Sequence, residues 1–521
     1  MTAAPTPVRA VESRDPATGE VWRTFASSDV AAVRTALAAS RAAQKEWGAE
    51  SVRRRARAVE RFRRTLYARR AEVADTIHRE SGKPAVEAAA AEIMTTLDLA
   101  RYYAGHAPRL LAAGHFTPGN IAFWRKRVRL RHEPLGVVGI ISPWNYPFML
   151  AAGVMLPAVA AGNGVLLKPS EFTPSTGVLI GELMAEAGVP AGLVQVLPGD
   201  GHTGAAVVES GVDKMFFIGS AATGRKVAAG CAQRLIPCVL ELGGSDPSIV
   251  LADADLDNAA SGIAWGRFSN AGQTCIAPKR ILVESAVFDA FVEKLAARVR
   301  ALRVGHGSGA DTDVGPIIRP SQSAALARQL QDAVAKGAVV AASAAAPAGG
   351  WFAPTLLTNV TPDMLVLREE TFGPILPVVR VRDADEAVRI ANETSYGLSA
   401  SVWGRDLAHA ERVASRLDAG TVIVNDVMVA AGIADMPYGG VKESGYGHSH
   451  GPGGLLECTR TKAVVTDRLA RLRQPWWFGY SAEHARNIDA FLRFWHGRSW
   501  GERLGGLARS VKLLISHERP I

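Results

Sequence analysis

"KMFFIGSAATGRKV", residues 214–227, runs from an apolar segment through Gly219 and Ser220 into an alanine-rich segment with basic residues. A strand, a glycine turn and a helix in this order form one unit of a parallel sheet with crossover helices. Two earlier stretches repeat the pattern. "GVLLKPS" (164–170) precedes a helix predicted at about 175–187, and "LVQVLPG" (193–199) precedes one at about 203–210. The sequence therefore predicts an α/β fold built on a parallel sheet.

The flanking segments extend this prediction in both directions. Residues 30–110 carry apolar residues at spacings of three and four, which indicates amphipathic helices. A second α/β series is predicted from near Cys238 to about residue 430, with "TVIVND" (421–426) as a late strand. The alanine-rich stretch 338–350 is predicted to be a loop. A chain of 521 residues suffices for two or three domains.

Composition places the chain among soluble globular proteins of a reducing compartment. Hydrophobic residues make up 48% and charged residues 21%. The four cysteines lack the spacing of a disulfide framework or a metal site, so no metal is expected. The N-terminus has no apolar signal segment, which favours a cytoplasmic location. The uncharged stretch 134–167 is long enough to span a bilayer, but Pro143, Pro147 and Pro157 favour a buried strand–loop–helix unit.

The net charge of +9 is concentrated near the C-terminus. Residues 468–521 hold ten Lys/Arg and four Asp/Glu, while the rest of the chain is nearly balanced. Without a binding motif, this distribution argues against a nucleic-acid partner. The same tail carries Trp476, Trp477, Trp495 and Trp500 beside basic residues. Two interpretations stay open: peripheral contact with a membrane, or packing on the protein's own body or at a subunit contact.

One cysteine lies in a small, polar setting. In "FSNAGQTCIAPKR" (268–280), Cys275 follows Gly-Gln-Thr, an accessible environment of the kind that a reactive thiol needs. In "CVLELGGSDP" (238–247), Glu241 interrupts an apolar strand before a Gly-Gly turn. That carboxylate is either the partner of a buried cation or a general base with a raised pKa. Asn145, in "GIISPWNYPF" (139–148), either stabilises a turn between prolines or donates to an oxyanion.

Other polar residues lie where α/β folds bind ligands. Lys168 and Glu171 follow a strand in "LLKPSEFTP" (166–174), and Gly219 and Ser220 precede a helix whose N-terminus favours a pyrophosphate. Arg225-Lys226 stands where a P-loop requires Lys followed by Ser or Thr, so an NTPase is disfavoured. "GDGHTG" (199–204) matches a GxGxxG pattern, which is a weak signal alone. "REETFGPILPV" (368–378) adds an acidic pair and an aromatic residue.

Taken together, these stretches closely resemble the aldehyde dehydrogenase superfamily. The order PWN, KPSE, GS-x-x-x-G, LELGG, GQTC, EETFGP and "PYGGVKESGYG" fits the family over roughly residues 15–465, as does the 34-residue interval between Glu241 and Cys275. The resemblance implies an α/β aldehyde dehydrogenase fold with a Rossmann-like cofactor domain. It implies that Cys275 is the nucleophile, Glu241 the general base and Asn145 the oxyanion donor. The implied cofactor-site residues are Trp144, Lys168, Glu171, Gly219, Ser220, Glu370 and Phe372.

The resemblance also implies a reaction and a domain plan. An aldehyde is oxidised to a carboxylic acid through a thiohemiacetal and a thioester on Cys275. Glu241 favours hydrolysis over transfer to coenzyme A, and Glu171 favours NAD, with NADP as the alternative. Residues 1–124 and 133–239 are expected to bind NAD, and residues 240–435 are expected to form the catalytic domain. Residues 125–132 and 456–467 are expected to form an oligomerisation β extension, followed by a basic aromatic tail at 468–521. A homodimer or homotetramer is expected.

The substrate stays open at this stage. The chain also resembles bacterial succinate-semialdehyde dehydrogenases, and a fatty or aromatic aldehyde is an equal candidate. Two alternatives to hydrolytic oxidation remain: a coenzyme A-acylating enzyme, and a non-catalytic membrane-associated scaffold. The intact set of motifs argues against the scaffold.

Overall fold

The predicted strand–turn–helix units are present in the computed structural model, which describes residues 9–307, 311–347, 351–469 and 474–515. The chain divides into two compact units. The first comprises Met1–Leu111 and Glu133–Arg460, and the second comprises Ala112–His132 and Thr461–Ile521. The predicted boundary between cofactor and catalytic domains falls inside the first unit and stays a prediction.

Strands and helices alternate along much of the chain after residue 134. The strands are β1 (Ala10–Arg14), β2 (Val21–Ala26), β3 (Gly114–Phe116), β4 (Lys126–Pro134), β5 (Val137–Ile141), β6 (Gly164–Lys168), β7 (Val194–Val196), β8 (Lys214–Ile218), β9 (Cys238–Glu241), β10 (Asp246–Val250), β11 (Pro278–Glu284), β12 (Val339–Ser343), β13 (Thr355–Thr358), β14 (Ile375–Val381), β15 (Ser399–Trp403), β16 (Thr421–Val424), β17 (Gly445–Tyr446) and β18 (Thr459–Asp467). The α-helices are α1 (Val30–Ala49), α2 (Val52–Ala68), α3 (Arg70–Ser81), α4 (Ala85–Glu87), α5 (Thr95–Leu110), α6 (Met149–Ala161), α7 (Pro174–Glu186), α8 (Gly201–Glu209), α9 (Ala221–Gln233), α10 (Leu256–Phe268), α11 (Phe288–Arg300), α12 (Pro320–Ala335), α13 (Leu365–Arg368), α14 (Ala384–Asn392), α15 (Leu407–Ala414), α16 (Gly451–Glu457), α17 (Ala482–His496) and α18 (Trp500–Ile515).

A six-stranded sheet in the first unit contains the repeats from which the fold was predicted. Its order is β17-β9-β8-β5-β6-β7, and all its pairs are parallel except β17 with β9. The central strands β5, β6 and β8 are apolar and almost entirely buried, as expected for a parallel sheet with both faces covered. The strand order reverses between β5 and β8, and ligands bind beyond the carboxyl ends of strands at such a point.

The uncharged stretch forms a buried strand–loop–helix unit, as predicted. It contains β5 and α6, and every residue of α6 is buried, including Pro157 inside the helix. Among the described residues, no helix is both long enough and apolar enough to cross a membrane.

A seven-stranded sheet in the same unit has the order β12-β13-β14-β11-β10-β15-β16, with β12 antiparallel to its neighbour. The prediction of a loop for residues 338–350 was wrong in part, because Val339–Ser343 form the edge strand β12. The strand is short and mostly exposed, so alanine there gave no alternating pattern by which to recognise it.

In the second unit, β18, β4 and β3 form a small sheet in which β3 and β4 are antiparallel, and α17 and α18 pack together as a helical hairpin. The predicted β extension and tail fall largely in this unit. Residues 470–473 and 516–521 of the tail lie outside the described residues. Gly506 on α18 lies against the backbone of α17: a Cβ there would come within 2.3 Å of the Ala490 carbonyl oxygen.

Candidate active site

Cys275 is presented by a loop with unusual backbone geometry. Asn270, Ala271 and Gly272 adopt φ values of 50°, 54° and 72° in the turn that precedes it. Left-handed conformation at two non-glycine residues is costly and persists only where the surroundings enforce it. At Gly272 a Cβ would come within 2.5 Å of the Gly373 carbonyl oxygen, so this position requires glycine. The loop therefore fixes the thiol in place before β11 begins.

The sulfur of Cys275 lies in a dense environment although the residue is not fully buried. Its Sγ is 3.8 Å from the Tyr438 hydroxyl. Burial raises the pKa of the thiol to about 11, and the Lys279 ammonium opposes this rise. The thiol is thus protonated at neutral pH in this arrangement, and attack as a thiolate requires the loss of that proton.

Glu241 ends β9 and lines the two cavities that meet at Cys275. Burial raises the pKa of its carboxyl to about 7, and a hydrogen bond from Ser449 opposes the rise. Among the described residues its Oε1 is a buried oxygen without a hydrogen-bond partner. A carboxylate with this pKa and a free oxygen has the properties of a general base.

Asn145 is held rigidly beside the cysteine loop. Its Nδ2 donates to the Gln273 carbonyl oxygen at 3.0 Å. The backbone carbonyl oxygen of Asn145 accepts hydrogen bonds from the Lys83 Nζ at 2.8 Å and from the Asn270 Nδ2 at 2.9 Å. Because an amide nitrogen carries two hydrogens, the bond to Gln273 leaves one available for another acceptor. The arrangement suits an oxyanion donor.

The larger of the two cavities is a cleft of about 850 Å³ beyond the strand ends of the six-stranded sheet. All ten predicted catalytic and cofactor-site residues line it: Trp144, Asn145, Lys168, Glu171, Gly219, Ser220, Glu241, Cys275, Glu370 and Phe372. Gly201 and Gly204 of the GxGxxG match also line it. The cleft therefore brings together the motif residues, although Trp144 and Phe372 are 228 positions apart in the sequence.

One end of the cleft offers groups that recognise a phosphate and a ribose. Ser220 caps α9, and its side chain accepts from the Thr223 N–H. Amides at such a helix end favour a pyrophosphate. Lys168 Nζ is 3.3 Å from Glu171 Oε2, and this pairing holds the partly exposed Glu171 carboxylate at the rim. Burial lowers the pKa of Lys168, and Glu171 opposes that shift.

Near Cys275 the cleft is walled by aromatic rings and a buried carboxylate. Trp144 and Phe372 meet edge to face, with ring centroids 5.5 Å apart. Glu370 accepts from the Gly244 N–H at 3.1 Å and lies 3.6 Å from the Lys279 ammonium, while burial raises the pKa of its carboxyl. A Cβ at Gly243 would lie 2.2 Å from Glu370, so glycine leaves room there. These residues fit a dinucleotide, whose bound form supplies a hydride acceptor.

A second cavity of about 310 Å³ meets Cys275 and Glu241 from the other side. Sequence reasoning missed several of its residues, among them Glu87, His450 and Tyr438. Glu87 ends α4, and its Oε2 accepts from the Asn270 N–H at 2.9 Å. Burial raises the pKa of Glu87 to about 7 and lowers that of His450 to about 4. No local signal identified these residues, because 183 positions separate Glu87 from Asn270.

Lys279 was also missed, although it stands four residues after Cys275. It is almost entirely buried, and its ammonium donates to the Cys275 carbonyl oxygen. A lysine that follows a proline at the start of an apolar strand could have been recognised as a buried cation. Among the described residues there is no group of three or more His, Cys, Asp or Glu side chains that could hold a metal ion.

Comparisons with known proteins identify the family of the chain. Residues 3–464 match the model of the Aldehyde dehydrogenase family. The chain is 39% identical over 485 residues to a 4,4'-diapolycopene aldehyde oxidase of Methylomonas sp, covering 92% of this chain and 90% of that protein. It is 42% identical over 457 residues to a provisionally named succinate-semialdehyde dehydrogenase [NADP(+)] of Mycolicibacterium smegmatis, covering 86% of each.

Among solved structures, the NAD+ complex of an aldehyde dehydrogenase from Bacillus cereus superposes with a TM-score of 0.84 at 33% identity. The match covers 88% of this chain and 93% of that one. The fold predicted from the sequence is thereby confirmed. The chain belongs to the aldehyde dehydrogenase family and is an NAD(P)-dependent aldehyde dehydrogenase.

Proposed function

We propose that Cys275 is the nucleophile, Glu241 the general base and Asn145 the oxyanion donor of this enzyme. The proposal rests on the position of Cys275 and Glu241, because each of these residues lines both cavities. The cleft beyond the strand ends is the cofactor side, and the smaller cavity is the substrate side. A reacting carbon bound to Cys275 then lies between them.

The first half of the reaction makes a bond and transfers a hydride. The Cys275 thiol releases its proton to solvent water in the open cleft, and its sulfur adds to the aldehyde carbon. The carbonyl electron pair moves to oxygen, beside the Asn145 Nδ2 and the backbone N–H of Cys275. As the C=O bond re-forms, the same carbon gives up its hydride, for which bound NAD(P)+ would supply the acceptor, and a thioester remains on the sulfur. Trp144 and Phe372 line the cleft and would hold the acceptor ring and exclude water there.

The second half is hydrolysis. Glu241 takes a proton from water, whose oxygen bonds to the acyl carbon, and the C–S bond breaks to release a carboxylic acid and restore the thiol. A base with a pKa of about 7 beside the thioester supports this route. An enzyme that passes its acyl group to coenzyme A has no need of that base, so hydrolysis is favoured over acylation.

The Glu171 carboxylate favours NAD over NADP. A carboxylate at the rim accepts hydrogen bonds from two ribose hydroxyls and repels a 2′-phosphate. Similar proteins are named for each of the two cofactors, so the preference rests on this residue.

The test is reduction of NAD or NADP by the full chain across a panel of aldehydes, with the acid product identified. Cys275→Ala should remove turnover, whereas Cys238→Ala, a free cysteine outside both cavities, should keep it. Accumulation of acyl-CoA when coenzyme A is added would contradict hydrolysis. Equal turnover in the Cys275→Ala variant would contradict the assigned nucleophile.

We also propose that the chain forms a homodimer or homotetramer. Strand β18 is nine residues long, lies at the edge of its sheet and is almost wholly exposed. A long exposed edge strand presents unpaired backbone groups that pair readily with another chain. Light scattering measures the mass directly, and a monomer at micromolar concentration would contradict this proposal.

We further propose a cytoplasmic enzyme with peripheral membrane contact through its second unit. Residues 112–132 and 461–521 hold sixteen Lys/Arg and five Asp/Glu, a net charge of +11, so the remainder of the chain has −2. On α18 an exposed apolar stripe runs along one face through Trp500, Leu504, Leu507, Val511 and Ile515. Apolar side chains on a basic helix favour an anionic lipid surface.

In a sedimentation assay, the protein should co-sediment with phosphatidylglycerol vesicles but not with phosphatidylcholine vesicles. Leu504→Glu should weaken this binding, and high salt should too. No binding to either lipid would contradict membrane contact and leave the stripe for a subunit interface. Equal binding to both lipids would contradict the preference for an anionic surface.

A further inference from the structure

The substrate-side cavity has an apolar wall that continues to the protein surface. Met149, Leu150 and Ile276 line its inner part near the sulfur. Val86, Met94 and Trp265 line it as well, and these large side chains are 71%, 57% and 55% exposed. Exposed apolar residues grouped at the mouth of a cavity mark a binding surface rather than random exposure.

The charges on this cavity have one sign. Among the described residues that line it, there is no lysine or arginine, and the ionisable side chains include the carboxyls of Glu87 and Glu241. Lys83 is the cation that acts on Glu87 electrostatically, but its ammonium pairs with Glu92 and the Asn145 carbonyl oxygen. It is fully buried and does not line the cavity. An incoming carboxylate therefore meets no available cation here.

We propose that this enzyme acts on uncharged aldehydes with an extended apolar chain, and that Glu87 excludes aldehydes that carry a carboxylate. The proposal rests on the assignment of this cavity to the substrate. An apolar chain buries its surface against the wall from Ile276 out to Trp265. A semialdehyde with a terminal carboxylate loses hydration without gaining an ion pair, and it approaches the Glu87 carboxylate.

The expected discrimination is large. At about pH 8 the Glu87 carboxyl, whose pKa is about 7, is ionised. Two like charges about 6 Å apart, at an effective dielectric of about 20, then repel enough to lower binding on the order of a hundredfold. Each further methylene buried against the wall should improve binding about threefold to fourfold until the chain reaches the mouth.

The experiment measures kcat/KM for propanal, hexanal, decanal and succinic semialdehyde with the full chain and saturating NAD. We expect kcat/KM to rise from propanal to decanal, and succinic semialdehyde to lie about a hundredfold below decanal. Glu87→Gln should raise the ratio of succinic semialdehyde to hexanal at least about tenfold, whereas Glu293→Gln, an exposed glutamate on α11, should leave it unchanged.

The result that overturns the inference is a preference for succinic semialdehyde, or a ratio that Glu87→Gln does not alter. The chain-length series uses the unaltered enzyme. It therefore tests the preference for long apolar aldehydes even if the Glu87→Gln variant does not fold. Failure of the proposed function looks different: no aldehyde is oxidised, or Cys275→Ala retains activity. Turnover that depends on Cys275 but favours the charged aldehyde would contradict the preference for uncharged aldehydes and leave the assigned nucleophile intact.

Discussion

Replacing Glu241 with glutamine should separate the two halves of the reaction. Hydride transfer requires the thiohemiacetal on Cys275, whereas hydrolysis requires a base for water. The isosteric Glu241→Gln change keeps the shape of the side chain and removes the base. We therefore expect one rapid burst of reduced cofactor per active site, followed by a steady rate lowered by about a hundredfold to ten-thousandfold, the range typical of a general base.

The pH dependence follows from the same carboxyl. Burial raises its pKa from 4.5 to about 7, so the unprotonated base predominates only above about pH 7. Hydrolysis-limited turnover should rise as pH increases through that value and then level off. The residual turnover of Glu241→Gln should lack this step.

Stability should move in the opposite direction. A carboxyl whose pKa is raised by folding costs nothing below its unfolded pKa, and the full cost applies above the folded pKa. A shift of this size corresponds to about 3 kcal/mol. Glu241→Gln should therefore raise Tm at about pH 8, and the gain should shrink as pH falls towards 5.

Stopped-flow absorbance of the reduced nicotinamide measures both phases, and thermal melts at several pH values measure the stability. Glu293→Gln serves as the control, since it makes the same chemical change on an exposed surface. A variant that loses the burst together with the steady rate would refute the assignment, because Glu241 would then act before hydride transfer. A Tm gain that is independent of pH would refute the electrostatic argument.

Three further outcomes are expected. Cys275→Ala should abolish oxidation while cofactor binding, followed by quenching of tryptophan fluorescence, stays within about threefold, because the thiol contributes little to that affinity. Glu171→Ser should raise the kcat/KM ratio of NADP to NAD about tenfold, since a charge repulsion is removed; an unchanged ratio would locate the discrimination elsewhere. Lys83→Met should destabilise the fold by about 3–5 kcal/mol, because the Glu92 carboxylate is left buried without its partner, and denaturant unfolding that matches the unaltered enzyme would contradict this.

Local sequence patterns predicted much of the fold because each strand, turn and helix lies within a short stretch. The helix after "GVLLKPS" was expected at about 175–187 and spans Pro174–Glu186. The strand β12 was missed, because an exposed edge strand of alanine and valine has no buried face to impose a period of two.

The site divides in a similar way. Cys275 and Glu241 stand in conspicuous local settings, a small polar loop and an apolar strand, and both were found. Glu87 was missed because its setting is tertiary: it meets the cysteine loop through the Asn270 N–H. The short helix α4 that carries it continues into a π-helix at Ala88–Met94, for which alanine-rich sequence gives no distinctive pattern. Local patterns therefore predicted the reactive groups but not the walls that select the substrate.

The absence of lysine and arginine among the described residues that line the smaller cavity also affects release of the product. Oxidation turns a neutral aldehyde into an anion, so the product carries a charge that the substrate lacked. In the cavity this new charge faces Glu87 and the recovering Glu241 without a lysine or arginine among the described lining residues. The pocket therefore holds its product less tightly than its substrate, and the acid leaves into solvent, where its charge is hydrated. Accumulated acid should then be a poor inhibitor.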